Sequence, residues 1–73
     1  REPMDDREII ACLNACGFKP DLRERYLVFA KAGESNAQLR LLQQQRKLLM
    51  EALHAVQRQV DTIDFIILSL GRD

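Results

Sequence analysis

Seventy-three residues make one small domain, near the lower limit for a self-sufficient hydrophobic core. Lys plus Arg and Asp plus Glu are eleven each, so the neutral chain exerts no general electrostatic pull on nucleic acid and any such contact must be local. Aromatic residues are only 5%, which leaves an aliphatic core, and no apolar run approaches the ~20 residues of a membrane span.

The chain opens on charged residues, unlike a secretory signal, and Pro3 is expected to keep residues 1–4 extended. With only Cys12 and Cys16 present, a disulfide framework is not expected and the cysteine usage fits the cytoplasm. Asp5 is suited to cap a first helix, from about Asp6 to Cys16, with Asp6 and Glu8 at the positive end of its dipole. Ile9, Ile10, Leu13 and Cys16 form the apolar face, Gly17 ends the helix in the left-handed conformation, and Phe18 folds back on the last turn. Pro20, at a first helical position, starts a second helix. Leu22, Tyr26 and Phe29 recur there at helical spacing, widened by Leu27 and Ala30, until Gly33 closes it.

From Ser35 to Leu70 the sequence reads as one uninterrupted helix, free of Gly and Pro and rich in good helix formers. Ser35 and Gln38 predict a capping box at its start, and Gly71 a left-handed end. Leu39, Leu42, Leu49, Leu53, Val56, Val60, Ile63, Ile67 and Leu70 follow alternating steps of three and four, with Arg46 filling the one gap. Taking Leu39, Arg46, Leu53, Val60 and Ile67 as a and Leu42, Leu49, Val56, Ile63 and Leu70 as d gives a heptad seam of the coiled-coil type. The alternative, an amphipathic helix packed inside one domain, fails on length: at ~1.5 Å per residue the helix is about 50 Å long, more than the remaining chain can cover. A second copy is expected to cover it.

The expected fold class is therefore all-α: a short two-helix hairpin over residues 1–34, then a long dimerisation helix over 35–73, forming an antiparallel coiled-coil homodimer. Antiparallel pairing sets a against d, and one register fills every layer, pairing Leu39 with Leu70, Leu42 with Ile67, Arg46 with Ile63, Leu49 with Val60 and Leu53 with Val56. It also brings Arg46 beside Asp64 of the second chain. A second apolar edge, Leu41, Leu48, Ala52 and Ala55, is expected to receive the hairpin. The last turns are apolar on nearly every side, and Phe65 and Leu68 are expected to be covered by the hairpin of the second chain.

Residues able to carry chemistry are sparse. Cys12 and Cys16 lie one turn apart, but zinc takes four ligands and the only histidine, His54, is far along the chain on a polar position. Buried core thiols are the expected reading, with a thiol or metal sensor as the alternative. Glu51, His54 and Arg58 share a helix face, and Asp61 and Asp64 lie beyond them, yet no nucleophile or pocket accompanies them. No catalysis, metal or cofactor is expected. Lys19, Arg23 and Arg25, together with Lys31, are candidate contacts to a DNA backbone or a solvated face.

The run Ile10, Cys12, Leu13, Gly17-Phe18 resembles the part of MerR-type bacterial transcription regulators where a helix ends in Gly followed by Phe or Met. The step from Gly17 to Gly33, with Leu22, Tyr26 and Leu27 between, is similar to that family's next helix and its closing glycine. Leu39, Leu41, Leu42 and Gln45, then the series from Leu49 through Asp64-Phe65 to Ile67, resemble its dimerisation helix. The resemblance covers residues 8–68. It implies a homodimer joined by antiparallel long helices that holds two winged helix-turn-helix domains on a pseudo-palindromic promoter, the chain being the segment after those domains. The gap from Gly33 to the long helix is about two residues shorter than the family's, and residues 35–73 carry none of the cysteines its metal sensors use. An inducer of another kind is thus implied; no membrane partner is expected, on the ground of the short apolar runs alone. The competing expectation is an independent helical module that scaffolds another protein.

Overall fold

The computed structural model describes residues 5–72, so the extended start expected around Pro3 lies outside the described residues. Three helices follow in order: α1 (Asp6–Ala15), α2 (Pro20–Lys31) and α3 (Ser35–Leu70). Asp5 caps α1 reciprocally: its side chain accepts from the Glu8 amide at 2.9 Å, and the Glu8 carboxylate accepts from the Asp5 amide at 3.4 Å. Two amides at the helix start are thereby satisfied by side chains of the first turn.

α1 ends at Ala15, one residue earlier than expected, with Cys16 as the cap. Gly17 follows with φ +80°. Its amide donates to the Asn14 carbonyl at 3.1 Å and the Phe18 amide to that of Leu13 at 3.0 Å. This is the Schellman closure, and its apolar clasp is present because Leu13 and Phe18 are both buried. α2 closes in the same way: Gly33 has φ +72°, and the Glu34 amide reaches the Phe29 carbonyl at 2.9 Å. Each glycine thus reverses the chain in two residues, which folds α1 back on α2 and α2 back on α3.

The two ends of α3 depart from expectation. Ser35 is already helical and Glu34 is the cap, without a side-chain hydrogen bond, so no Ser35/Gln38 box forms. Glu34 is already committed to closing α2, and the three-residue connection, with Glu34 alone between Gly33 and α3, starts α3 too early for Ser35 to stand outside it. At the other end Gly71 has φ −78°, in the right-handed region, not the left-handed one. The next residue, Arg72, is exposed, and unlike Phe18 it has no apolar clasp to make by folding back.

The core is small and sits at one end. Leu13, Phe18, Ala37 and Leu41 are buried, with Ile9, Leu22, Tyr26 and Phe29 packed round them. Phe18 meets Tyr26 edge-on, ring centroids 6.2 Å apart at 87°, a favourable aromatic geometry. The hairpin therefore rests on the first part of α3 through Ala37 and Leu41, whereas Leu48 of the expected edge is 60% exposed. Cys12 and Cys16 are exposed too, so the expectation of buried thiols is corrected: the α1 face that enters the core is Ile9 and Leu13. Beyond the hairpin α3 continues alone. The molecule spans 64 × 23 × 20 Å with a radius of gyration of 18.8 Å, against roughly 11 Å for a compact domain of this length.

Gly17 is the more constrained of the two turns. A Cβ there would sit 3.2 Å from Gln45 Nε2, whereas one at Gly33 would meet nothing within 4 Å. Gly17→Ala is expected to lose about 1–2 kcal/mol to the left-handed backbone alone, and more as Gln45 is displaced. Gly33→Ala should suffer only the backbone part. Urea melts of the two variants check this, and a Gly17→Ala melt superimposing on the wild type would contradict it.

Candidate dimerisation surface

The expected seam residues occupy one continuous stripe of α3, and the hairpin leaves all of it open. Leu39, Leu42, Leu49, Leu53, Val56, Val60, Ile63, Ile67 and Leu70 are each between 38% and 80% exposed. Arg46 and Asp64 are exposed as well. The reason is angular. Ala37, Leu41 and Gln45, which face the hairpin, lie from about a quarter of a turn (Gln45) to almost half a turn (Ala37) round the helix from the midline between the a and d positions. The chain therefore fills one flank of α3 with its own core and presents the adjacent stripe to solvent.

An apolar stripe of this length, broken only at Arg46, is far from the scattered single residues that a monomer exposes. Burial of each Leu, Ile or Val is worth about 1.5–3 kcal/mol, an upper value because ordering opposes it. Heptad spacing on an unbroken 36-residue helix suits a second helix running alongside. A small ligand has less to use. The depression along Ala55, Arg58, Gln59, Thr62 and Ile63 lies on one side of a single helix. A cleft of about 190 Å³ between α1 and α2 is lined by Asp6, Ile9, Ile10, Leu27, Ala30 and Lys31.

The candidate DNA contacts do not form one face. Lys19 and Arg23 lie on the same side of α2, but Arg25 is about 200° round the helix from Arg23. Arg23 is moreover engaged: its Nη1 donates to Asn14 Oδ1 at 2.6 Å, tying α2 to the end of α1. Glu51, His54, Arg58 and Asp61 are exposed along α3. Among the described residues, no group of three or more His, Cys, Asp or Glu side chains is placed to hold a metal ion, and no helix is long and apolar enough to cross a membrane.

One contact that places the hairpin on α3 has no signal in the local sequence. Gln45 Nε2 donates to the Cys16 carbonyl at 2.9 Å, pinning the end of α1 to α3. Cys16 and Gln45 are 29 residues apart, and nothing in the local pattern at either position signals the pairing. No protein-family model matches the chain, and no curated protein or solved structure matches it.

Proposed function

We propose that this chain is the dimerisation and linker segment of a MerR-like DNA-binding transcription regulator. Two copies pair through the a and d residues of α3, and the hairpins at opposite ends of the pair hold two DNA-reading winged helix-turn-helix domains. The observation that carries this reading is the exposed heptad seam of α3 beside a hairpin closed by Gly17-Phe18 and Gly33. Its mechanical task is to fix separation and orientation, because half-site spacing mirrors the two-fold axis of the protein that reads it. The chain performs no catalysis in this reading and takes no cofactor; its setting is the cytoplasm. The coding sequence upstream of Arg1 is the direct test. A winged helix-turn-helix there is expected, and a start codon immediately before Arg1 would end the proposal.

A second reading, a helical module that scaffolds another protein, draws on Phe65 and Leu68, which are 69% and 58% exposed and lie off the seam. DNA titration distinguishes it less well than the coding sequence does, but it constrains both. The 73-residue chain by itself should bind promoter fragments only nonspecifically, with Kd about 10⁻⁴–10⁻⁶ M at physiological salt, since the chain is neutral and its basic residues are dispersed. Sequence-specific binding tighter than about 10⁻⁷ M would mean that α2 itself reads bases.

A further inference from the structure

We infer that the junction between hairpin and long helix is a docking point for the C-terminal turns of a second copy of this chain, with Ile66 as the residue that docks. The inference rests on the antiparallel dimer proposed above and adds to it a contact outside the seam.

Two observations lead to it. The first is the flank on which the hairpin sits. Leu41 and Gln45 occupy heptad positions c and g, and Gln45 reaches the Cys16 carbonyl at 2.9 Å, so the Cys16–Gly17 turn stands at the g edge of α3. The second is the register. Pairing Leu39 with Leu70 and Leu53 with Val56 makes facing a and d residues sum to 109, and the g residues that then face each other sum to 111. Gln45 of one copy accordingly faces Ile66 of the other, as Ala52 faces Gln59. Ile66 is 51% exposed on its own helix, and Gln45 is only half-covered by its own hairpin. An isoleucine laid on the outer side of Gln45 shields the Gln45–Cys16 hydrogen bond from water and continues the apolar seam onto the hairpin.

The same geometry revises which residues of the apolar C-terminal turns meet the hairpin. Phe65 and Leu68 occupy f and b, on the side of α3 turned away from the seam, so the partner's hairpin meets Ile66 and leaves those two uncovered. A second copy is the occupant because the contact is continuous with the seam, and because that register also sets Arg46 against Asp64 twice per dimer. Dimerisation and hairpin orientation are then coupled through one side chain. A shift of the long helices along their seam withdraws Ile66 from Gln45 and exposes the Gln45–Cys16 hydrogen bond to water.

Hydrogen exchange at the Phe18 amide reads this contact, since that amide closes the turn by donating to the Leu13 carbonyl at 3.0 Å. Wild type, Ile66→Ser and Leu68→Ser are compared on the full chain, at a concentration where sedimentation shows both variants dimeric. Ile66→Ser should raise the exchange rate on the order of tenfold, whereas Leu68→Ser, which removes a comparable apolar side chain from the other face, should leave it unchanged. Equal effects of the two variants, or none from Ile66→Ser, would overturn the contact while leaving the dimer standing. A wild-type chain that sediments as a monomer would instead remove the proposed function, and this contact with it.

Discussion

Replacing Leu53 and Val56 together with Asp should abolish the dimer and, with it, most of the helix beyond the hairpin. In the full-seam register Leu53 of each copy meets Val56 of the other, so these two layers straddle the two-fold axis. The double substitution sets four carboxylates around that axis in place of four aliphatic side chains. The lost burial is worth about 1.5–3 kcal/mol per side chain, and unpaired charge in an apolar layer adds a larger penalty. The fold has little to offset this. The hairpin covers α3 only near Ala37, Leu41 and Gln45, and the following turns have no cover from their own chain. Most helical stability in a protein comes from tertiary packing of an apolar face and little from propensity, and without the partner these turns have no such packing. Loss of dimer in sedimentation should therefore coincide with loss of helical circular dichroism, since folding and association are one equilibrium here. A double variant that stays fully helical as a monomer would contradict the coupling, and one that stays dimeric would contradict the seam.

What could be read in advance was whatever depends on neighbours in sequence. Asp5 with Glu8, Gly17 with Phe18, Pro20 and Gly33 each set a helix end through contacts within a few residues, and each does so in the structure. The same local reasoning failed at Ser35, because that residue's role was decided by Glu34, which serves the preceding helix first. It failed at Gly71 because a left-handed turn needs something to fold back on, and Arg72 is exposed. Cys12 and Cys16 have the composition of a core face but not its place: α1 is short, and the residues it sends into the apolar core are Ile9 and Leu13. The exposed stripe was legible as a pattern, and so was its length. Which flank of α3 the hairpin would take was not, since Leu41 and Leu48 are equivalent in the heptad, yet one is 4% exposed and the other 60%. Only the length of α1 and α2, and the Gln45–Cys16 hydrogen bond, determine that the hairpin stops short of Leu48.

The orientation of the two long helices yields the other large effect, a distance. In a parallel pair Arg46 would face its own copy across an a layer, placing two guanidinium groups together inside the seam, an arrangement with a heavy desolvation penalty and no counter-charge. Antiparallel pairing replaces that layer by Arg46 against Ile63, with Asp64 of the partner at its edge. The guanidinium is then able to reach a carboxylate while its stem lies along the apolar layer. A parallel pair would also place both hairpins at the same end, beside each other, and leave Ile66 of each copy with no hairpin to meet. Arg40 is exposed and lies off the seam, so a spin label there disturbs neither the core nor the proposed interface. At ~1.5 Å per residue, labels on antiparallel helices in the full-seam register should be roughly 40 Å or more apart, against about 10–20 Å in a parallel pair. A register slipped by one heptad moves the antiparallel distance by about 10 Å, so the measured value fixes register as well as direction. A distance in the short range would exclude the antiparallel pair, and with it the separation of the two hairpins on which the reading of two DNA half-sites depends.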